Sequence, residues 1–224
     1  MAKLEDHNSL IASAAKAALS PLGCQRKGKS RIWYADQRFW IIVIEFQPSS
    51  FSKASYLNVG AMWLWYAKDY FTFDEGHRIP GHYVSFENVG QFRPLAEKLA
   101  VRAAQEVETV RAKFTRLSDI YRHLLDRIAQ LKQEDSVRQY HAAVAAGLVG
   151  DIATARQLFQ KVAKWQVTPG EHTFLDSAVT LLPLLDDPVR YRSAVAAIVT
   201  DCRARLKLVP DPDCLAQFES NPAA

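Results

Sequence analysis

The sequence predicts an α+β protein: a small antiparallel sheet flanked by helices, then a long helix and an α-helical region of tetratricopeptide-like hairpins. Three observations predict it. Between Ile32 and Ala67, apolar runs rich in aromatic and β-branched residues are separated by short turn signals. From Pro94 the composition shifts to Ala, Leu, Glu, Arg and Gln, with apolar residues at steps of three and four. Beyond residue 132, helical segments come in pairs punctuated by Gly, Asp and Pro.

The first element is an amphipathic helix over about 4–20, because Leu4, Ile11, Ala15 and Leu19 form one stripe with Ala14 and Ala18 beside it. Pro21 and Gly23 stop it. "CQRKGKSR" follows as a basic turn, and "IWYADQRFWIIVIEFQ" reads as two strands around Ala35-Asp36-Gln37. After Pro48-Ser49-Ser50, "ASYLNVGAMWLWYA" is a third strand, so short loops imply a meander. Thirteen of the 24 aromatic residues lie between Trp33 and Phe73, which predicts the densest core there. Residues 74–92 read as a loop with at most one short strand, around Tyr83 to Phe86.

A long helix is expected over 94–131, with Pro94 in its first turn. Val107, Val110, Phe114, Leu117, Tyr121, Leu124, Ile128 and Leu131 make a heptad seam along it, and a homodimer through 107–131 is one use of such a seam. Ser118-Asp119 is the place where this helix could divide, since both residues favour helix starts. In "YHAAVAAGLVGDIATARQLFQKVAKW" a helix ends near Gly147 to Gly150 and Asp151 caps the next. "FLDSAVTLLPLLDD" and "PVRYRSAVAAIVTDCRARLKL" form a second pair, parted by Asp186, Asp187 and Pro188. The expected division is an α+β domain over 1–132 and an all-α region over 133–224.

Composition narrows the function classes. The net charge of +4 spreads evenly, with 10 basic and 8 acidic residues in 1–92 and 18 and 16 in the rest, so bulk charge suggests no nucleic-acid partner. Cys24, Cys202 and Cys214 are scattered without metal-binding spacing, which fits a reducing cytoplasm. The N-terminus lacks the basic start of a signal peptide, and no apolar run nears the roughly 18 residues of a membrane span. A cytoplasmic chain without a membrane partner is expected.

Two constellations are candidate sites. Alternation puts Glu45 and Gln47 on one face of their strand and Tyr56, Asn58 and Gly60 on one face of the next. If the polar sets coincide, Glu45, Gln47, Ser49, Tyr56 and Asn58 converge at one end of the sheet, as a ligand-binding pocket or as a clasp that ties down turns. The residues favour the clasp. Arg26, Lys27, Lys29, Arg31 and Arg38, interleaved with Trp33 and Tyr34, form a basic-aromatic cluster that could follow a phosphate backbone or meet an acidic protein, or could simply be a solvated strand edge. "DEGHRIPGH" offers ligand types without a metal-site spacing, so no metal is assigned. P-loop, GxSxG, HExxH and Cys/His nucleophile signatures are missing, and neither a catalytic residue nor a cofactor is assigned.

The stretch from Leu19 to Trp63 resembles a bacterial family known as domain of unknown function 4304. Leu22-Gly23, Arg26-Lys27, Trp33-Tyr34, Gln47-Pro48-Ser49 and Asn58-Val59-Gly60 carry the resemblance, which spans about residues 8–92; Cys24 departs from it, standing where Phe is commoner. The resemblance implies a compact α+β domain and no particular activity. By analogy with similar domains among immunity and defence-associated proteins, the expectation is a non-catalytic module whose partner is another protein. An enzyme or small-ligand domain using the polar sheet end is the alternative, followed by nucleic-acid binding through 26–38.

Overall fold

The computed structural model describes residues 6–164 and 173–216, so the predicted start at Leu4 lies outside it. Five strands form one antiparallel sheet in sequential order: β1 (Gln25–Arg26), β2 (Ile32–Asp36), β3 (Trp40–Pro48), β4 (Ala54–Trp63) and β5 (Glu75–Ser85). Seven α-helices accompany them among the described residues: α1 (His7–Leu19), α2 (Val89–Lys113), α3 (Leu117–Ala129), α4 (Ser136–Val149), α5 (Ile152–Ala163), α6 (Thr173–Leu181) and α7 (Pro188–Leu206). The chain divides into two compact units, Met1–Met62 with Phe71–Lys113, and Trp63–Tyr70 with Phe114–Ala224. The boundary expected at 132/133 is therefore displaced.

In the first unit, α1 begins at a reciprocal cap: the Ser9 N–H donates to Asp6 Oδ1 at 2.8 Å and the Asp6 N–H donates to Ser9 Oγ at 3.0 Å. Its buried stripe is Leu10, Ile11, Ala15 and Leu19, and α1 lies along α2. A short 3-10 turn, Ser20–Leu22, ends at Gly23 in the left-handed region (φ 76°). The supposed basic turn then contributes β1, which pairs Gln25 with Tyr34 and Arg26 with Trp33.

Strand register explains why β3 shows no polar alternation in its middle. Trp33 opposes Ile44 and Ala35 opposes Ile42, and this face, with Phe46, Leu57 and Val59, is buried. α1 reaches it through His7, whose Nε2 faces Ser55 Oγ at 3.2 Å. On the other face Tyr34 opposes Val43, and Phe71 stacks on Tyr34 with centroids 5.5 Å apart. The Thr72 N–H approaches Met62 Sδ at 3.5 Å, and Lys27 sits over the Phe71 ring at 4.9 Å. The segment after β4 thus covers part of this face, and the Glu45–Gln47 end is left half-exposed.

The loop expected over 74–92 is an 11-residue edge strand, β5. Its partner β4 can accept it because Gly60 lies opposite Gly76: a Cβ on Gly60 would sit 2.3 Å from the Glu75 carbonyl oxygen. Pro80 and Gly81 occupy an irregularity between the Tyr56–Tyr83 and Asn58–Arg78 pairs, where an edge tolerates a missing donor. α2 also starts earlier than Pro94 suggested, at Val89, because Asn88 Oδ1 accepts from the Gln91 N–H at 3.0 Å.

The single helix predicted over 94–131 is two. Its break falls at Phe114–Arg116, where Arg116 turns extended (φ −129°, ψ 153°) and Asp119 Oδ2 accepts from the Arg116 N–H and from Thr115 Oγ1. Asp119 is the residue flagged in the sequence, acting one turn into α3. Of the eight seam residues, Val107, Phe114, Leu117 and Leu124 are buried, and Val110, Tyr121, Ile128 and Leu131 are half-buried.

The second unit is built around Trp63–Tyr70 from its own helices. Trp63 and Trp65 stack at 5.5 Å, the Trp65 Nε1–H donates to His141 Nδ1 at 3.0 Å, and the Tyr140 hydroxyl donates to the Trp65 carbonyl at 2.6 Å. Burial raises the Tyr140 phenol strongly, so it stays a neutral donor. The α4–α5 hairpin turns through Gly150 (φ 88°) and Asp151, which accepts from the Thr154 N–H at 3.1 Å and from the Tyr121 hydroxyl at 2.6 Å. Along α5, Ala155 is buried and Ala153 is exposed. Gly147 carries the closer contact: a Cβ there would lie 2.4 Å from the Tyr191 ring. Asp187 caps α7 ahead of Pro188.

Candidate functional site

On β3 and β4 the predicted polar set does coincide. The Asn58 amide donates both hydrogens, to Glu45 Oε2 at 2.9 Å and to Gln47 Oε1 at 3.0 Å, and Gln47 Oε1 also accepts from Arg78 Nη2 at 2.6 Å. Arg78 comes from β5, where it opposes Asn58, and its guanidinium lies 4.0 Å above the centre of the Tyr56 ring. Tyr56 in turn meets Tyr83 at 4.9 Å. Both amide protons and both lone pairs of the shared oxygen are used, so this is a side-chain clasp laid over a half-exposed face. It differs from the expected clasp, which would have bonded to backbone.

Ser49 does not join this clasp. It organises the β3–β4 loop, where its Oγ accepts from the Phe51 N–H at 3.2 Å and stands 3.3 Å from Ser52 Oγ, which reaches the Tyr83 hydroxyl at 3.1 Å. The loop holds Phe51 99% exposed, and Tyr83 is 47% exposed.

The five residues of the basic cluster are dispersed. Arg26 folds onto its own turn, donating to the Ser30 carbonyl at 2.7 Å and the Lys29 carbonyl at 2.9 Å. Lys27 covers Phe71, as described. Arg38 belongs to the opposite end of β2, in a hairpin turn where it takes φ 73° and its N–H donates to Asp36 Oδ1. A continuous phosphate-tracking strip is not what these side chains build.

Arg31 points inward and organises a group that sequence reading missed. Its Nη1 donates to Ser55 Oγ at 2.8 Å, its Nη2 meets His7 Nδ1 at 3.0 Å, and its Nε and Nη2 both reach Asn8 Oδ1. A guanidinium only donates, so His7 Nδ1 is an acceptor and the ring proton sits on Nε2, facing Ser55. Burial first, then the Arg31 charge, lowers His7 to about 4. Although Ser55 and His7 form a hydroxyl–imidazole pair, it is not a nucleophile pair: the facing nitrogen already carries a proton, and Ser55 is fully buried. The sequence showed Arg31 only as one of a basic cluster and His7 only as a lone histidine in the first turn of an amphipathic helix.

Among the described residues no three His, Cys, Asp or Glu side chains gather as a metal site, and no helix is long and apolar enough to cross a membrane. In the "DEGHRIPGH" stretch, Asp74 accepts from Thr72 Oγ1 and His82 Nδ1 lies 2.7 Å from the Pro80 carbonyl. Cys24, Cys202 and Cys214 are buried free thiols, and burial pushes Cys24 up to about 11, away from thiolate chemistry. No family model, curated protein or solved structure matches the chain.

Proposed function

We propose that the chain is a non-catalytic binding module that recognises an acidic protein surface with the polar end of its sheet. Phe51 carries the reading: an apolar ring 99% exposed on a turn braced by Ser49 is an anchor held ready for a partner's pocket. The neighbouring Ser52 reaches Tyr83, which meets the Tyr56 ring that Arg78 covers, and Tyr and Arg are residue types enriched in interface centres. The Asn58–Gln47–Glu45 clasp fixes Arg78 before any partner arrives, which lowers the ordering cost of binding. Exposed Lys29 and Lys53 lie on turns at this same end of the sheet and favour an acidic partner. Membership in the bacterial family resembled by Gln47-Pro48-Ser49 and Asn58-Val59-Gly60, and a role of the immunity or defence kind, belong to the same proposal.

Co-purification from native cells tests it. The wild-type chain is expected to retain a stoichiometric protein partner that Phe51→Ala loses with its melting temperature unchanged, and that Arg78→Glu also loses, with a lower melting temperature because its bond to Gln47 goes as well. A hot-spot loss of about 2 kcal/mol, roughly thirtyfold in Kd, is the scale for Phe51. Repeated absence of any partner, or full retention by both variants, overturns the proposal.

A further inference from the structure

A cleft of about 620 Å³ opens between the first turn of α1 and the β3–β4 loop, lined in part by Asn8, Arg31, Pro48, Lys53 and Phe86. Its positive charge lacks a direct counter-ion among the described residues. The groups that meet the Arg31 guanidinium are all neutral: His7, Asn8, Ser55 and the Phe46 carbonyl. Asp6 also lines the cleft and its negative charge supports the Arg31 guanidinium, while its Oδ1 is engaged in the α1 cap. His7 registers the local field: burial depresses its basicity most, Arg31 adds to that, and Lys53 lowers it further against the opposing pull of Asp6.

The arrangement at Arg31 is specific as well as positive. Nε and Nη2 converge on one oxygen, Asn8 Oδ1, along the side of the guanidinium that usually grips carboxylates and phosphates. That oxygen belongs to a neutral amide on an exposed residue. Replacing it with a phosphate oxygen puts charge on the acceptor as well as on the donor, so each bond becomes part of an ion pair. Two cations, Arg31 and Lys53, suit a dianion better than a monoanion. The cleft is far larger than one phosphate, and Pro48 and Phe86 offer an apolar wall for the remainder of a ligand.

We propose that this cleft binds a small phosphate-bearing molecule, whose phosphate displaces Asn8 from Arg31 and faces Lys53 while its apolar part lies on Pro48 and Phe86. The site does not depend on Phe51 or on a protein partner. Calorimetric titration of the full chain with phenyl phosphate, inorganic phosphate and benzoate tests it. Phenyl phosphate is expected to bind tightest and benzoate weakest. Lys53→Glu, at an exposed loop position, is expected to weaken phenyl phosphate about tenfold or more without changing the melting temperature. Asn8→Ala removes the competing amide and is expected to tighten binding. Failure of phenyl phosphate to bind the wild type, benzoate binding as well as phenyl phosphate, or unchanged binding by Lys53→Glu overturns the site; weaker binding by Asn8→Ala overturns the displacement at Arg31.

Discussion

His7 shows how one side chain converts a packing arrangement into a pH dependence. Its Nδ1 accepts from Arg31, and protonation would set an imidazolium against a guanidinium. In the unfolded chain it titrates near 6.5 and in the folded chain near 4, so between these values the unfolded chain binds more protons. The stabilisation is therefore complete above pH 6.5 and disappears as pH falls to 4. Urea denaturation at neutral pH and at about pH 5 should show the wild type losing on the order of 1 kcal/mol. His7→Gln, which keeps an acceptor for Arg31 but does not titrate, should lose less. At the clasp, Asn58→Asp sets a carboxylate against Glu45 and Gln47 Oε1 in place of two donated bonds; a cost of about 1–2 kcal/mol in urea unfolding is expected. Glu45, Gln47 and Asn58 were legible because strand alternation is local. Arg78 and His7 were not, because their partners are fixed by pairing and helix docking far along the chain.

Among the elements, β4 and β5 depend on a close approach that side chains would prevent. Gly60→Ala places a methyl against the backbone of Glu75 and Gly76, so a loss of about 3 kcal/mol or more is expected, read as a lower urea midpoint with hydrogen exchange accelerated first in β5. That dependence also explains why β5 looked like a loop. Gly76, Pro80 and Gly81 are local breakers, and only the matching Gly60 on another strand makes their conformation productive. β2, β3 and β4 were readable from their aromatic and β-branched runs, because both of their faces are largely buried. The α2–α3 break was masked by the opposite effect: Phe114 within it and Leu117 just after it stay buried, so the apolar period continues through a segment that is not helical. Gly150 and Asp151 were read correctly, since a left-handed helix end and a side-chain cap are local chemistry.

For the whole molecule, the decisive fact is that the aromatic segment does not serve one core. Trp33 and Trp40 are buried in the α+β unit, whereas Trp63 and Trp65 belong to the helical unit with Tyr140 and His141. A fragment ending at residue 132, the division that composition suggested, would strip Trp63–Tyr70 of α4, α6 and α7. It is expected to bind a hydrophobic dye and to show red-shifted tryptophan emission compared with the full chain; a monomeric fragment with native-like emission would contradict this partition.

The placement of Trp63–Tyr70 also has a consequence for biosynthesis. These residues leave the ribosome ahead of every helix that shelters them; the contact between Cys202 Sγ and the Tyr66 carbonyl spans 136 positions. The α+β unit can complete its sheet once Lys113 has emerged, but with its β4 strand ending in unsheltered indole rings. A stall in translation between α2 and α7 would present those rings to chaperones and to neighbouring nascent chains, so the pace of elongation over the helical half bears directly on the yield of native protein.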